Sequence, residues 1–326
     1  MPRQPTHLLT VAPGRRIAID ETGDPRGHPV FFFHGWPASR LQGAGFSEEA
    51  PELGLRILAP DRPGIGLSTP QPGRRLLDWP PVVRELARQL GFERFSVMAV
   101  SGGGPYALAT AFALPECVEA TVVTSGAPPL GPGADLEGLL PVYRFLLASY
   151  RRWPVALGHA FHLARPFAAI RPPWWSWPVI RRFAPRGDRH ALHNPAVIAS
   201  SLDCYVEAWR TTGRGVYQDA EVYAHDWGFA PEEIRGPVRI WHGKSDRSFP
   251  WRLAEALARR LPNCETRFVE GEGHYSLPIL KRREIMEDLI AARGARTVPN
   301  LAPAPAPAPS GSQDVEIDWE QEQEQD

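Results

Sequence analysis

Hydrophobic residues along the chain follow two periodic patterns that alternate with each other. Short apolar runs of strand length occur at 16–20, 30–33, 56–60, 95–100, 119–124, 238–243 and 265–270. Apolar residues with helical spacing lie between them, at 82–90, 107–114, 252–261 and 280–292. Strands that alternate with helices predict a mostly parallel sheet covered by helices on both faces. The pattern therefore indicates the α/β class.

Two segments depart from this pattern. Residues 128–230 lack clear strands, and they predict a helical cap inserted between a first core part at 1–127 and a second core part at 231–297. Residues 298–326 are Ala-Pro repeats followed by acidic residues and glutamines. Such a composition cannot bury enough apolar surface to offset its ordering entropy, so this tail is predicted to be disordered.

The predicted cap is rich in tryptophan. It holds six of the 11 tryptophans of the chain: Trp153, Trp174, Trp175, Trp177, Trp209 and Trp227. Large apolar side chains of this kind either line an apolar pocket for a ligand or pack the cap helices together. The sequence alone favours neither interpretation.

Charge and cysteine content exclude several classes of protein. The chain has 36 basic and 37 acidic residues, whereas a protein that binds nucleic acid through phosphates needs an excess of bases. Seven of those acids lie in 314–326, which leaves 30 acids and 36 bases elsewhere. Cys117, Cys204 and Cys264 are too widely spaced for a disulfide framework or a metal motif. No signal-peptide core and no membrane span is evident, so the expected location is the cytoplasm.

The segment at 95–109 has the arrangement of a nucleophile elbow. An apolar strand leads into Ser101-Gly102-Gly103 and then directly into a helix. A nucleophile on such a turn is exposed at the end of the strand, and crowding requires small residues two positions before and after it. Here these are Ala99, in place of the usual glycine, and Gly103. The alternative is a Ser-Gly turn without chemistry.

Three further segments follow apolar strands. His34-Gly35-Trp36-Pro37 follows the run at 30–33, and the backbone N–H groups of Trp36 and Gly102 are a candidate pair of oxyanion donors. Asp246 follows the run at 238–243, and His274 follows the run at 265–270. A serine, an acid and a histidine in this chain order suit nucleophilic catalysis by a triad.

These segments together resemble the α/β-hydrolase fold superfamily, in its cap-bearing branch. The resemblance covers residues 15–295 and rests on five motifs: HGWP (34–37), DRPGIGLS (61–68), AVSGGGPYALA (99–109), HGKSDRSFP (242–250) and GEGHYS (271–276). It implies that the DRPGIGLS loop has a structural role, with Asp61 as its anchor.

The resemblance also implies the roles of the site residues. Ser101 is expected to be the nucleophile, His274 the general base and acid, and Asp246 the residue that orients His274. Trp36 and Gly102 are expected to donate their backbone N–H groups to an oxyanion. Neither a metal nor an organic cofactor is expected, because these groups suffice for acyl transfer. The pairs His159/His162 and His190/His193 lack further ligands at suitable spacing.

A serine at the elbow narrows the reaction. Related hydrolases of epoxides and haloalkanes carry an aspartate there, whereas a serine favours acyl transfer. We expect cleavage of an ester, thioester or lactone of a small apolar substrate through an acyl-enzyme. Carbon–carbon bond hydrolysis and perhydrolysis remain open, and so does a non-hydrolytic small-molecule binder or sensor on the same fold. The sequence does not indicate whether the protein is a monomer or an oligomer.

Overall fold

The computed structural model describes residues 4–296, except residues 177, 180, 181 and 183. The tail at 298–326, predicted to be disordered, lies outside the described residues. The strands are β1 His7–Ala12, β2 Arg15–Gly23, β3 His28–Phe33, β4 Leu55–Pro60, β5 Phe95–Val100, β6 Val118–Thr124, β7 Val238–Gly243 and β8 Cys264–Val269. The helices are α1 Glu49–Glu52, α2 Trp79–Gln89, α3 Gly104–Ala113, α4 Pro141–Arg152, α5 Pro154–Ala168, α6 Pro195–Ala208, α7 Gly213–Tyr223, α8 Trp251–Ala258, α9 Ser276–Leu280 and α10 Arg282–Arg296.

The eight strands form one sheet in the order β1-β2-β4-β3-β5-β6-β7-β8. Strand β2 is antiparallel to β1 and β4, and all other neighbours are parallel. The predicted α/β class with a mostly parallel sheet is confirmed. Strand β1 was missed by the sequence pattern. Because the parallel strands point the same way, the loops at their carboxyl ends meet at one edge of the sheet.

Helices cover both faces of the sheet. Phe31 and Phe33 of β3 point to one face and pack with Trp79 of α2. Val30 and Phe32 point to the other face, in the same core as residues of α1 and α10. A strand that is buried on both faces has no position for a polar side chain, and this explains the uninterrupted apolar run at 30–33.

A long segment separates β6 from β7. Residues 125–237, here called the helical insertion, contain α4, α5, α6 and α7, and no strand occurs among those of its residues that the structure describes. Its second half reaches the loop after β4, where Trp209 and Val216 pack on Ile65. The inserted helical segment is as expected from the sequence, whereas the domain boundaries at 128 and 230 remain predictions. Within the described ranges no helix is long and apolar enough to cross a bilayer.

Candidate active site

Ser101 lies in a sharp turn between β5 and α3. Its backbone φ is 52°, a left-handed conformation that is uncommon for a residue with a side chain. A Cβ atom on Gly103 would come within 2.1 Å of the carbonyl oxygen of Phe33, so this position requires glycine. Ala99 is buried in the sheet beside Phe33 and Val123, where its methyl group joins the core. The strand, turn and helix that the sequence predicts around Ser101 are therefore present, and the alanine does not prevent the turn.

Three side chains form a hydrogen-bonded chain at the carboxyl edge of the sheet. The Nε2 atom of His274 lies 2.9 Å from the hydroxyl Oγ of Ser101. The Nδ1 atom of the same ring lies 2.8 Å from Oδ2 of Asp246. All three side chains are buried, and they come from the loops after β5, β7 and β8. The structure thus brings together the three residues that the sequence singled out.

The carboxylate of Asp246 is held from two sides. Its Oδ1 atom accepts hydrogen bonds from the backbone N–H groups of Ser248 at 2.7 Å and Phe249 at 3.0 Å. Its Oδ2 atom lies 3.2 Å from Nε2 of His242, a buried residue that the sequence analysis did not identify. That Nε2 is also 2.9 Å from the carbonyl oxygen of Phe249, and two acceptors around one nitrogen place the proton there.

Electrostatics favour charge separation between Asp246 and His274. Burial by itself disfavours the charged form of each group, but each group stabilises the charge of the other. As a result, the pKa of His274 is raised above its ordinary value. The charges and hydrogen bonds of His274 and His242 likewise hold the pKa of Asp246 well below its usual range. This pair therefore stabilises an imidazolium, the form that His274 takes after it accepts a proton.

A residue of the helical insertion supports the loop of His274. The buried Oδ1 atom of Asp188 accepts hydrogen bonds from the backbone N–H groups of Tyr275 at 2.8 Å and Ser276 at 2.9 Å. Its negative charge adds to that of Asp246 in raising the pKa of His274. Asp188 lies in a short 3-10 turn, and no pattern in the sequence marks it.

The two candidate oxyanion donors are neighbours. A Cβ atom on Gly102 would come within 2.9 Å of the Cβ atom of Trp36, and one on Gly35 would come within 3.8 Å of Oγ of Ser101. Within the described chain, no carbonyl or side-chain acceptor takes the backbone N–H of Trp36. Tyr223 of α7 donates its hydroxyl to the carbonyl oxygen of Gly102 at 2.9 Å. The insertion thus contacts the backbone of this site directly.

A buried arginine binds the peptide that carries one of these donors. Arg62 donates to the carbonyl oxygens of His34 at 2.5 Å and Gly35 at 2.9 Å. The carbonyl of Gly35 and the N–H of Trp36 belong to the same peptide group. A cation at that carbonyl orients the peptide and strengthens its N–H as a donor. Arg62 pairs in turn with Asp219 of α7 at 2.7 Å, so the insertion supplies the counter-charge.

The carboxylate of Asp219 also binds Arg74, at 2.6 Å, and accepts the hydroxyl of Tyr106 at 2.8 Å. Burial disfavours the carboxylate, but the neighbouring arginines outweigh it and lower the pKa of Asp219 far below its usual range. The predicted role of the DRPGIGLS loop as a structural element therefore omitted Arg62, the residue of that loop that reaches the site.

A second buried arginine joins the insertion to the core. Arg40 contacts Asp20 at 3.1 Å, and both Asp61 and Glu207 at 2.7 Å. Asp61 also accepts the backbone N–H of Arg40 at 2.7 Å, which is consistent with its predicted role as the anchor of the loop. Burial raises the pKa of Asp61 to about 6, although Arg40 acts in the opposite direction.

Ser101 lies on the wall of two cavities. The larger, of about 1010 Å³, is also lined by His274 and by residues of α6. The smaller, of about 50 Å³, is lined by Gly102 and by apolar side chains that include Leu130 and Leu147, but His274 does not reach it. The site therefore has a large space on one side of Ser101 and a small one on the other.

The described tryptophans of the insertion lie away from the two cavities. Among those that the structure describes, none lines either cavity. Trp209 and Trp227 are buried, and Trp209 packs on Phe161 of α5, as one of the two interpretations expected. Trp153, Trp174 and Trp175 are exposed and fit neither interpretation. The sixth, Trp177, lies outside the described residues.

The candidate metal ligands of the described residues do not cluster. No group of three His, Cys, Asp or Glu side chains placed to hold a metal ion occurs within the described part of the chain. Of the paired histidines, His190 lies 3.2 Å from Glu272, and His159 contacts the carbonyl oxygen of Val155 at 2.7 Å. These contacts give the two histidines local partners and no common centre.

Comparison with known proteins identifies the fold. The sequence model of the family described as alpha/beta hydrolase fold matches residues 28–278. No curated protein sequence matches the chain. Among solved structures, a bromoperoxidase from Bacillus anthracis is similar at 20% identity and a TM-score of 0.65, over 88% of this chain and 98% of that one. A thermophilic esterase from Thermogutta terrifontis is similar at 21% identity and a TM-score of 0.62, over 90% and 99%.

An enol-lactonase from Burkholderia xenovorans is similar at 17% identity and a TM-score of 0.62, over 87% of this chain and 98% of that one. At these identities the likeness concerns the fold alone. The three structures carry different activities in their names, so the chemistry has to be argued from the side chains themselves.

Proposed function

The chain belongs to the α/β-hydrolase fold family, and on that premise we propose that it is a serine hydrolase that cleaves ester-type bonds through an acyl-enzyme. One observation carries the proposal: the chain Ser101–His274–Asp246, with contacts of 2.9 and 2.8 Å. A hydroxyl, an imidazole and a carboxylate in this order generate a nucleophile without a metal.

In the first half of the reaction, Ser101 attacks the acyl carbon. His274 takes the proton of the hydroxyl at Nε2 as the bond between Oγ and carbon forms. The N–H groups of Trp36 and Gly102 stabilise the negative charge on the former carbonyl oxygen. His274 then gives the proton to the oxygen of the leaving alcohol, and the bond between carbon and that oxygen breaks.

In the second half, water replaces the alcohol. His274 removes a proton from the water as its oxygen attacks the acyl carbon, and the same oxyanion donors stabilise the second tetrahedral intermediate. The bond to Oγ breaks, and His274 returns the proton to Ser101. The acid is released, and the enzyme is restored with atoms and charges in balance.

The two cavities support an assignment of the two parts of the substrate. The leaving alcohol must lie close to Nε2 of His274, and this residue lines only the larger cavity of about 1010 Å³. The acyl part then occupies the smaller cavity of about 50 Å³ beside Gly102. A cavity of this size holds only a few non-hydrogen atoms, so we infer a short acyl group such as acetyl or propionyl. The helical insertion covers the site and acts as its cap.

A panel of chromogenic esters tests the substrate assignment. We expect kcat/KM to be highest for acetate or propionate and to fall as the acyl chain lengthens, while bulky alcohols are accepted. Leu147→Ala enlarges the smaller cavity and should shift the preference towards longer acyl groups. The ratio of butyrate to acetate turnover is the readout, because partial unfolding changes both rates equally. A preference for long acyl chains in the unaltered protein contradicts the assignment.

Substitutions at the triad test the chemistry. Ser101→Ala should abolish covalent labelling by a fluorophosphonate. It should also lower kcat for ester hydrolysis by a factor of about 10⁶. Asp246→Asn should lower kcat/KM by about 10⁴ and leave the fold intact, because the wrong tautomer of His274 is then favoured. Full turnover in a folded Ser101→Ala protein contradicts the proposal. Labelling with less than one turnover per enzyme would instead favour a ligand-binding protein on this fold.

A further inference from the structure

Large apolar side chains are exposed in one part of the molecule. Thirteen such side chains are exposed within the described residues, and ten of them lie between residues 142 and 179. They are Val142, Phe145, Trp153, Val155, Leu163, Phe167, Ile170, Trp174, Trp175 and Val179, here called the exposed apolar face. Their exposed fractions range from 49% to 78%. Monomeric soluble proteins rarely leave so many large apolar groups together in water.

Helix α5 shows how this face arises. Its inner side contacts the body of the insertion through Phe161, which stacks on Trp209. Its outer side carries Val155, Leu163 and Phe167, which are 71%, 72% and 78% exposed. Positions separated by multiples of four lie on one side of a helix. A helix that is apolar on both sides is normally covered on both, but α5 is covered on one.

The segment of chain that carries this face has charges of a single sign, although Arg171 within it pairs with Asp203 of α6 at 3.4 Å. Between Glu137 and Asp188 the sequence contains eight arginines and neither an acidic residue nor a lysine. Arg144 and Arg152 are exposed on α4, next to the apolar side chains. The guanidinium of Arg152 lies 5.4 Å from the ring of Trp153. Exposed tryptophan, phenylalanine and leucine beside arginine is the composition of helices that lie in the surface of an anionic membrane.

We propose that the exposed apolar face docks this protein onto the surface of an anionic lipid bilayer. The apolar side chains enter the boundary between headgroups and acyl chains, while the arginines bind the phosphate groups of the lipids. Helix α5 then lies in the plane of the interface and does not cross it. The proposal rests on surface composition and does not depend on the hydrolase activity.

Two other occupants fit the observations less well. A second copy of the chain would bring eight arginines against eight arginines, with no acid within the segment to pair them. The acidic tail at 314–326 has the right charge, but its apolar residues are only Val315, Ile317 and Trp319. Three side chains cannot cover ten. A bilayer surface supplies both the negative charge and an apolar phase of sufficient extent.

The docked orientation would place the membrane next to the candidate active site. Phe161 on the inner side of α5 lies 6.2 Å from the ring of Trp36, one of the proposed oxyanion residues. The thickness of one helix therefore separates the lipid surface from the site.

Vesicle binding tests the proposal with the full-length protein. We expect co-sedimentation with vesicles of phosphatidylcholine and phosphatidylglycerol, weaker binding to phosphatidylcholine alone, and a loss of the difference at high salt. Leu163→Gln and Phe167→Gln should each weaken the binding about tenfold, since each removes one buried apolar side chain. The matched control is Leu8→Gln, the same change at an exposed leucine of β1, and it should bind as the unaltered protein does.

Four results would overturn the proposal. The first is no binding to the anionic vesicles. The second is equal binding by Leu163→Gln, Phe167→Gln and Leu8→Gln. The third is binding that appears only when the seven acids of the tail are changed to Gln or Asn in the full-length chain, because the tail then covers the face. The fourth is a dimer in solution that Leu163→Gln dissociates. Vesicle binding is measured without substrate, so none of these results bears on the proposed hydrolase activity.

Discussion

The two halves of the helical insertion differ in what their surfaces contact. Helices α6 and α7 supply Glu207, Asp219 and Tyr223, which reach buried arginines and the backbone of the candidate site. Helices α4 and α5 carry no acidic residue and expose five large apolar side chains, whereas α6 and α7 expose none. One half thus supports the candidate active site through buried charge, and the other presents an apolar surface outwards.

This difference shows which half of the insertion the core requires. Arg40 and Arg62, a residue of the loop after β4, are fully buried, and buried charges are tolerated only with partners. Their partners on α6 and α7 make that half inseparable from the geometry of the oxyanion loop. No such demand acts on the outer side of α4 and α5, so its composition reflects another requirement, which we assign to the lipid surface.

The largest difference between the halves should appear on removing a buried charge. Asp219→Asn leaves Arg62 and Arg74 with a neutral partner and should lower the free energy of unfolding by about 3–5 kcal/mol. Urea unfolding measures the change. The control is Asp203→Asn on the outer side of α6, whose exposed pair with Arg171 spans 3.4 Å and should contribute at most about 1 kcal/mol. Equal losses of unfolding free energy in the two variants would contradict the difference between buried and exposed ion pairs of the insertion.

A smaller effect is expected from one hydroxyl of α7. Tyr223→Phe leaves the carbonyl of Gly102 without its donor and should cost about 1–3 kcal/mol of transition-state stabilisation, or roughly tenfold to a hundredfold in kcat/KM. Tyr217→Phe on the same helix removes a hydroxyl that binds the carbonyl of Pro154 at 2.9 Å, away from the site. It should leave kcat/KM unchanged. Comparable losses in both variants would mean that the inner contact has no special role.

The acidic limb of the pH profile tests the charge that the insertion places near His274. Catalysis requires a neutral imidazole, and the raised pKa of His274 puts the midpoint of kcat/KM above about 6.5. Asp188→Asn keeps an acceptor for the N–H groups of Tyr275 and Ser276 but removes the charge. The midpoint should therefore fall, by up to about one unit, and activity at low pH should rise. An unchanged or higher midpoint would contradict this role.

The smallest change in the free energy of unfolding is expected for a substitution on the outer side of α5. Leu163→Gln replaces a side chain that is 72% exposed and should change the free energy of unfolding by less than about 0.5 kcal/mol. Leu147→Ala, at a buried leucine of the neighbouring α4, should cost about 2–5 kcal/mol. Thermal unfolding without lipid compares the two. A large loss in Leu163→Gln would show that the outer side is packed in solution.

Local pattern was sufficient for the core of the site. Ser101, Asp246 and His274 each follow an apolar run, and alternating strands and helices predict that these runs are parallel. The carboxyl ends of parallel strands share one edge, so the order along the chain already predicts proximity. The same reasoning missed β1, a short strand at the edge of the sheet whose partner β2 has to be known before its pairing can be recognised.

The helical insertion shows where the sequence stops being informative. Its position and helical nature follow from the missing strand pattern, and its high content of tryptophan is read directly from the sequence. Which tryptophans are buried does not follow, because burial depends on contacts between residues far apart in the chain, such as Phe161 and Trp209. Only the tertiary structure decided that Trp209 is buried against Phe161 and that Trp174 is exposed.

The sequence by itself therefore determined the parallel sheet, the inserted helices and the three residues of the candidate triad. The tertiary structure alone decided that Arg62 binds Asp219 across 157 residues, and that this pair holds the peptide of Gly35 and Trp36. The physical reason is the distance along the chain over which each kind of interaction acts. Hydrogen-bond periodicity and turn chemistry act between neighbours in the chain, whereas the partner of a buried charge is whichever opposite charge the fold brings within hydrogen-bonding distance.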